Sequence, residues 1–351
     1  MSLADVLALD WPIFQAPMAG VSTPAMAAAV SNAGGLGALG LGAAGLDGAR
    51  SMIRETRALT TRPFNANFFC HAPAKRDDAR EAAWLAALAP EFAQFGVRPP
   101  EKLHEIYASF VGDRAMMDMV LQERPGVVSL HFGLPDAGWI EELQAAGNLV
   151  FASATSSEDA RAAQAAGVDG VVAQGIEAGG HRGVFDPAGA DAALSTEMLV
   201  QELVGTLDIP VIAAGGLMTG GDVARVLALG AEAAQLGTAF IDTVESAADA
   251  AYRAALRAPE ALPPVLTDRV SGRLARALQN RLTAWGEAQS DVPAYPVVYD
   301  ASKALIAAAK GQGVVGYGAH WAGLGAADAR SGTAAEILTL ICEELRQAQS
   351  K

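Results

Sequence analysis

Histidine is scarce in this sequence, with five in 351 residues. One of them, His181, stands in QGIEAGGHRG (Gln174–Gly183), directly after the apolar run VDGVVA. Gly179 and Gly180 ahead of it either make a turn or let backbone come close to a bound molecule. An imidazole so placed titrates near neutral pH and suits a general base, with a structural histidine as the even alternative. Two further stretches suit an anion. AAGGLMTGGD (Ala213–Asp222) contains Gly215 and Gly216 before a helix start, and QLGTAF (Gln235–Phe240) offers Gln235, Gly237 and Thr238. Backbone N–H groups of such loops, with a helix N-terminus behind them, cradle a phosphate.

Other polar groups are fewer and more ambiguous. Asn67 and Gln174 could bond the edge of a flat ring, or each could satisfy neighbouring backbone. Met18 follows the first apolar run, in QAPMAG, and belongs with the same candidate bed. His131 reads more readily as a satisfied core or rim histidine than as a working one. Tyr107, Tyr295, Tyr299 and Lys303 fall in segments expected to cover the pocket; Tyr299 and Lys303, four apart, share a helix face. A P-loop, HExxH, CxxC pair or GxSxG is not found. GGLGALG (Gly34–Gly40) has the wrong order for a dinucleotide fingerprint, because its apolar residues themselves read as a strand.

These residues need a frame. Short apolar runs recur at Pro12–Ala16, Leu36–Leu39, Phe64–Phe68, Gly126–Leu130, Leu149–Ser153, Asp169–Ala173, Pro210–Ala214 and Ala233–Gly237. Alanine-rich helical patterns separate them, with starts such as Thr155–Glu158 and Thr219 and stops at Gly167 and Gly230. Eight strands alternating with helices predict an α/β fold, a (β/α)8 TIM barrel, in preference to an open doubly wound sheet. The barrel takes residues 1–72, 126–246 and 312–351. Residues 73–125, with amphipathic segments around Ala79–Leu88 and Glu101–Val120, and the largely helical residues 247–311 are insertions that form a helical cap over the active site. In such a barrel the chemistry gathers at the carboxyl ends of the strands, where the candidates outside the cap fall.

Composition sets limits. A net charge of −14, from 25 basic and 39 acidic residues, argues against nucleic-acid binding. Cys70 and Cys342 alone make neither a disulfide framework nor a metal site, so no metal is expected. The N-terminus lacks the basic region of a signal peptide, and a cytoplasmic location is expected. Trp11–Leu46 is free of charge but interrupted by Pro12, Pro17 and Pro24, so a buried strand, helix and strand is expected there, not a membrane span.

Taken together, QAPMAG, GGLGALG, NANFF, the run ASATSSEDARAAQAAGVDGVVAQGIEAGGHRG and IPVIAAGGLMTGGDVARVLALGAEAAQLGTAF resemble the nitronate monooxygenases, formerly 2-nitropropane dioxygenases. SLHFGLP and YPVVYDASKAL are similar to the class I members. The resemblance implies an FMN-bound barrel that needs no NAD(P)H. It would oxidise alkyl nitronates, propionate 3-nitronate above all, with O2 to a carbonyl compound and nitrite. It implies His181 as the base for neutral nitroalkanes and Gly215, Gly216, Gly237 and Thr238 around the FMN phosphate. Met18, Asn67, Gln174, Gly179, Gly180 and Gln235 would lie along the rest of the cofactor. His131, Tyr107, Tyr295, Tyr299 and Lys303 would face the substrate. The alternatives are an FMN-dependent NAD(P)H-using reductase (enoyl-acyl-carrier-protein or quinone) on the same barrel, and a flavin-free sugar-phosphate barrel. The oligomeric state is not legible.

Overall fold

Strands buried on both faces cannot alternate apolar and polar residues, and this chain's apolar runs become such strands. The computed structural model describes residues 2–258 and 262–350. Its strands are β1 (Ile13–Gln15), β2 (Gly37–Gly40), β3 (Phe64–Phe69), β4 (Gly126–His131), β5 (Leu149–Ala154), β6 (Gly170–Gln174), β7 (Gly180–His181), β8 (Val211–Ala214), β9 (Ala233–Leu236), β10 (Val265–Thr267) and β11 (Ala275–Ala277). Eight of them form one parallel sheet in the order β1-β9-β8-β6-β5-β4-β3-β2. The sheet closes on itself: Gln15 N–H donates to Leu36 O at 2.9 Å and Leu36 N–H to Ile13 O at 3.0 Å. The result is the expected (β/α)8 barrel.

Trp11–Leu46 is β1, a helix over Pro24–Asn32 and β2, and among the described residues no helix is long and apolar enough to cross a membrane. GGLGALG lies at β2, where the glycine at 37 is required because a Cβ there would meet Ala27 O at 1.8 Å. The helix starts are stabilised as their residue types predict. Ser156 caps Ser157–Ala165, and Thr219 with Asp222 makes a capping box on Gly220–Ala228. That second helix begins with two glycines, so its first turn leans on the cap. Thr219→Ala is expected to cost about 1 kcal/mol, read as a lower urea midpoint with an unchanged slope.

Inside the barrel the strands change character after one layer. Phe14, Val127, Phe151, Val172, Ile212 and Ala233 pack together, closed below by Leu3 and Leu7 near the N-terminus. Two residues further along each strand, on the same face by the period of a β-strand, come Ala16, Ser129, Ser153, Gln174, Ala214 and Gln235, and these line a cavity. One step in register thus turns a dry plug into a polar floor.

A second core lies above. Trp84, Leu88 and Phe92 from the helix Asp78–Ala93 pack with Tyr107, Phe132, Tyr295, Tyr299, Leu305 and Tyr317. Two features differ from the sequence reading. In Glu101–Val120 only the part from Arg114 is helical. The irregular stretch before it sends Leu103 and Tyr107 into the upper core and Phe110 into the barrel core, where its N–H donates to Phe69 O at 2.8 Å; a helix could not face both. Residues 247–311, expected to be largely helical, also carry β10 and β11, which join β7 in a small antiparallel sheet in the order β10-β11-β7.

Candidate active site

A cavity of about 860 Å³ opens at the carboxyl ends of the barrel strands. Every sequence candidate lines it: Met18, Asn67, Tyr107, His131, Gln174, Gly179, Gly180, His181, Gly215, Gly216, Gln235, Gly237, Thr238, Tyr295, Tyr299 and Lys303. They differ in what they have left to offer.

The amide of Asn67 spends both N–H bonds on Ser129, to its carbonyl at 3.1 Å and its hydroxyl at 2.9 Å, so among the described residues the side-chain Oδ1 is its free acceptor. Gln174 is largely committed. Its Oε1 accepts from Gly183 N–H at 2.8 Å and Arg182 Nη1 at 3.3 Å, and its Nε2 donates to His181 O at 3.0 Å. Gln235, among the described residues, has no protein partner on either amide atom and is the freest hydrogen-bonding head on the floor. Met18 spends its N–H on Ser22 Oγ at 3.0 Å, leaving its side chain to face the cavity.

The glycine loops after β8 and β9 sit side by side. Gly215 and Gly216 hold φ of 128° and 67°, a region that side chains oppose. The N–H groups of Gly216, Gly237 and Thr238 donate to no protein acceptor among the described residues. The Thr238 hydroxyl accepts from Gly323 N–H at 3.0 Å. Gly179 has a structural reason to be glycine, since a Cβ there would meet Gly323 N at 2.5 Å.

His181 is held from three sides. It sits on β7, paired with Ala275 of β11. Its carbonyl accepts from Gln174 Nε2 and from His131 Nε2 at 3.3 Å. Its ring Nε2 lies 2.8 Å from Ser271 Oγ, while Trp321, Tyr295 and Phe132 pack around the ring at centroid distances of 4.9, 5.6 and 5.7 Å. Burial, and then the charges of His131 and Arg273, push its pKa down to about 3. A neutral imidazole with its lone pair available is what a base requires. His131, held down to about 4 by burial and Arg273, clamps the His181 backbone as well as lining the pocket.

Arg182 is only 1 % exposed. It pairs with Asp191 through Nε at 2.6 Å and Nη2 at 3.0 Å, and its Nη1 donates to the carbonyls of Gln174 and Gly175 at 2.9 and 2.7 Å. It is the internal strut of the QGIEAGGHRG loop. In the roof, Lys303 Nζ lies 4.8 Å from the Tyr107 ring and 5.4 Å from the Tyr299 ring, consistent with their places on and opposite the helix Val297–Gly311. Burial lowers the Lys303 pKa and raises those of the tyrosines, Tyr299 to about 12, so the hydroxyls stay neutral. Ser271, Arg273, Trp321, Tyr252 and His320 escaped the sequence reading. Ser271 and Arg273 reach the site only through the β10–β11 hairpin, and Tyr252 and His320 stack at 4.7 Å on the cavity wall.

The profile described as nitronate monooxygenase matches residues 1–344. The chain belongs to the nitronate monooxygenase family. It is 56% identical over 349 residues to the nitronate monooxygenase of Paraburkholderia phytofirmans strain PsJN, covering 99% of this chain and 95% of that one. Identity to the nitronate monooxygenase of Pseudomonas aeruginosa PAO1 is 52%, covering 97% and 98%. Among solved structures, a nitroalkane oxidase from Streptomyces ansochromogenes superposes with a TM-score of 0.91 at 40% identity, covering 99% of both chains. FabK from Thermotoga maritima superposes with a TM-score of 0.75 at 27% identity, covering 100% of this chain and 97% of that one.

Proposed function

We propose that this nitronate monooxygenase binds FMN and oxidises alkyl nitronates, propionate 3-nitronate in particular, with O2 to a carbonyl compound and nitrite, without NAD(P)H. The observation that carries the reading is the meeting, in one cavity, of a neutral buried imidazole, a roof cation and a row of unengaged backbone donors. In this reading residues 1–72, 126–246 and 312–351 bind the cofactor, and residues 73–125 and 247–311 cap it.

The residues suit FMN. Gly216, Gly237 and Thr238 have N–H groups to give a phosphate, with Gly215 shaping the turn. The free heads of Asn67 and Gln235 offer an acceptor and a donor–acceptor to the edge of a flat heteroaromatic ring. Bound there, FMN supplies the electron acceptor that protein side chains lack. The protein's own work is orientation, charge and proton transfer. Lys303 would attract an anionic nitronate under the roof of Tyr107, Tyr295 and Tyr299, whose rings exclude water. His181 would take the α-proton of a neutral nitroalkane and stand aside for a nitronate that has already lost it.

Oxygen uptake and nitrite release on addition of propionate 3-nitronate, with no nicotinamide present, test the proposal. The purified protein should be yellow and release FMN on denaturation. Rapid NADH oxidation with no response to the nitronate would transfer the assignment to a reductase on the same barrel. A colourless protein would favour a flavin-free phosphate-binding barrel.

A further inference from the structure

Ser271 lies ninety positions from His181 in sequence and is fully buried. Its hydroxyl makes two contacts, with His181 Nε2 at 2.8 Å and with the carbonyl oxygen of Arg273 at 3.2 Å. A carbonyl can only accept, and a hydroxyl has one proton to give. If that proton went to His181 Nε2, two buried oxygens would face each other without a proton between them. If it goes to Arg273 O, the Ser271 oxygen accepts from His181 Nε2–H and both contacts are satisfied.

The backbone enforces this choice. Gly272, between Ser271 and Arg273, holds φ of 89°, and its N–H donates to Asp268 O at 2.7 Å. A Cβ at Gly272 would lie 2.6 Å from Tyr295 N, so the turn is fixed against the roof. The opposite side of the imidazole is open. Among the described residues His181 Nδ1 has no protein partner, and it is not among the occluded unpartnered atoms, while the ring lines the cavity.

We propose that Ser271 is a positioning residue that fixes His181 as the Nε2–H tautomer, and so makes Nδ1 the atom that receives the substrate proton. The inference rests on the proposed activity for its consequence and on the hydrogen-bond geometry for its substance. In the step it implies, the α C–H bond of a nitroalkane breaks and its electron pair stays on the substrate as the nitronate. The proton bonds to Nδ1. The resulting imidazolium keeps its Nε2–H on Ser271, whose oxygen is turned toward it because its own proton is held by Arg273 O. A ring with the other tautomer would present an N–H to the substrate and could not take the proton.

The test uses the FMN-loaded protein labelled with [15N]histidine, with the His181 signals assigned by their loss in His181→Asn. Proton-coupled 15N spectra of the wild type are expected to show Nε2 protonated and Nδ1 bare. Ser271→Ala should mix the tautomers or shift the proton to Nδ1, and Ser271→Thr, which keeps the hydroxyl, should restore the wild-type pattern. In parallel, kcat/KM for a neutral nitroalkane, taken relative to that for the nitronate, should fall roughly tenfold or more in Ser271→Ala and recover in Ser271→Thr. A wild-type His181 protonated on Nδ1, or a Ser271→Ala protein with the wild-type pattern, would overturn the proposal. A wild type with the expected tautomer that consumes neither compound would uphold the tautomer and overturn the activity.

Discussion

His181→Asn should lower kcat/KM for a neutral nitroalkane by roughly 10²–10⁴-fold, the range of a lost general base, while turnover of the pre-formed nitronate falls far less. The two substrates differ by one proton, so the ratio of their rates isolates the proton transfer from everything else the site does. Asparagine keeps a polar head near the place of Nδ1 but is too short to reach Ser271 Oγ, which lies 2.8 Å from Nε2 of the imidazole. The backbone clamp should survive as well, because Gln174 and His131 bond the carbonyl of residue 181 and not its side chain. Flavin content should therefore stay at the wild-type level, and the absorbance spectrum of the purified variant checks it. Equal losses on both substrates would assign His181 to binding or folding. Unchanged nitroalkane turnover would place the base elsewhere in the cavity, and among the pocket histidines His131 would then be the one to change.

The barrel was legible because a parallel sheet buried on both faces leaves a simple trace: runs such as GVVSL and DGVVA bounded by turn residues. The floor was legible because function in this fold sits at or just past the ends of such runs, where Asn67, His131 and Gln174 were found; Gln235 came with the glycine stretch QLGTAF. The spacing of Tyr299 and Lys303 carried their meeting, since residues four apart on a helix are neighbours. The β7–β11 sheet left no such trace. Its strands are two or three residues long, and β11 centres on Arg276, whose guanidinium is satisfied by the carbonyl of Ile176 at 2.8 Å, far away in sequence. No local pattern encodes that. The same holds for Arg182, which Asp191 and the carbonyls of Gln174 and Gly175 close around. Gln174 is the converse case. An amide at the end of a barrel strand suggested either a ligand contact or bonds to neighbouring backbone, and the residue lines the cavity while most of its bonds hold the His181 loop.

The buried histidines make acid stability the second large effect. Burial is the first cause of low pKa at His71, His131 and His181, which stand at about 4, 4 and 3 against an ordinary 6.5. Arg273, itself pushed down to about 10 by burial, adds to the depression at all three and lies 4.2 Å above the Phe132 ring. Between pH 6.5 and about 4 the unfolded chain binds a proton at each of these sites and the native protein does not. The sign is therefore destabilising as pH falls: the native state is disfavoured by about 1.4 kcal/mol per pH unit for each such histidine. The paired carboxylates Asp191, Asp222 and Asp242 are held below 3.8, so their contribution is lost only under more acidic conditions and does not overlap the upper part of this window. Urea and thermal midpoints should fall steeply from pH 7 to pH 5. Unfolding at pH 5 should take up close to three protons from these residues, measured by potentiometric titration of the released chain. His71→Asn should reduce that uptake by about one proton, because its ring is buried among Phe132 and Tyr295 and its Nδ1 has no partner to hold a charge. Midpoints that do not move between pH 7 and pH 5 would mean that the native imidazoles titrate as they do in the unfolded chain; midpoints that rise would mean that they are already protonated in the native protein, and His181 would then lack the lone pair on which its role as a base depends.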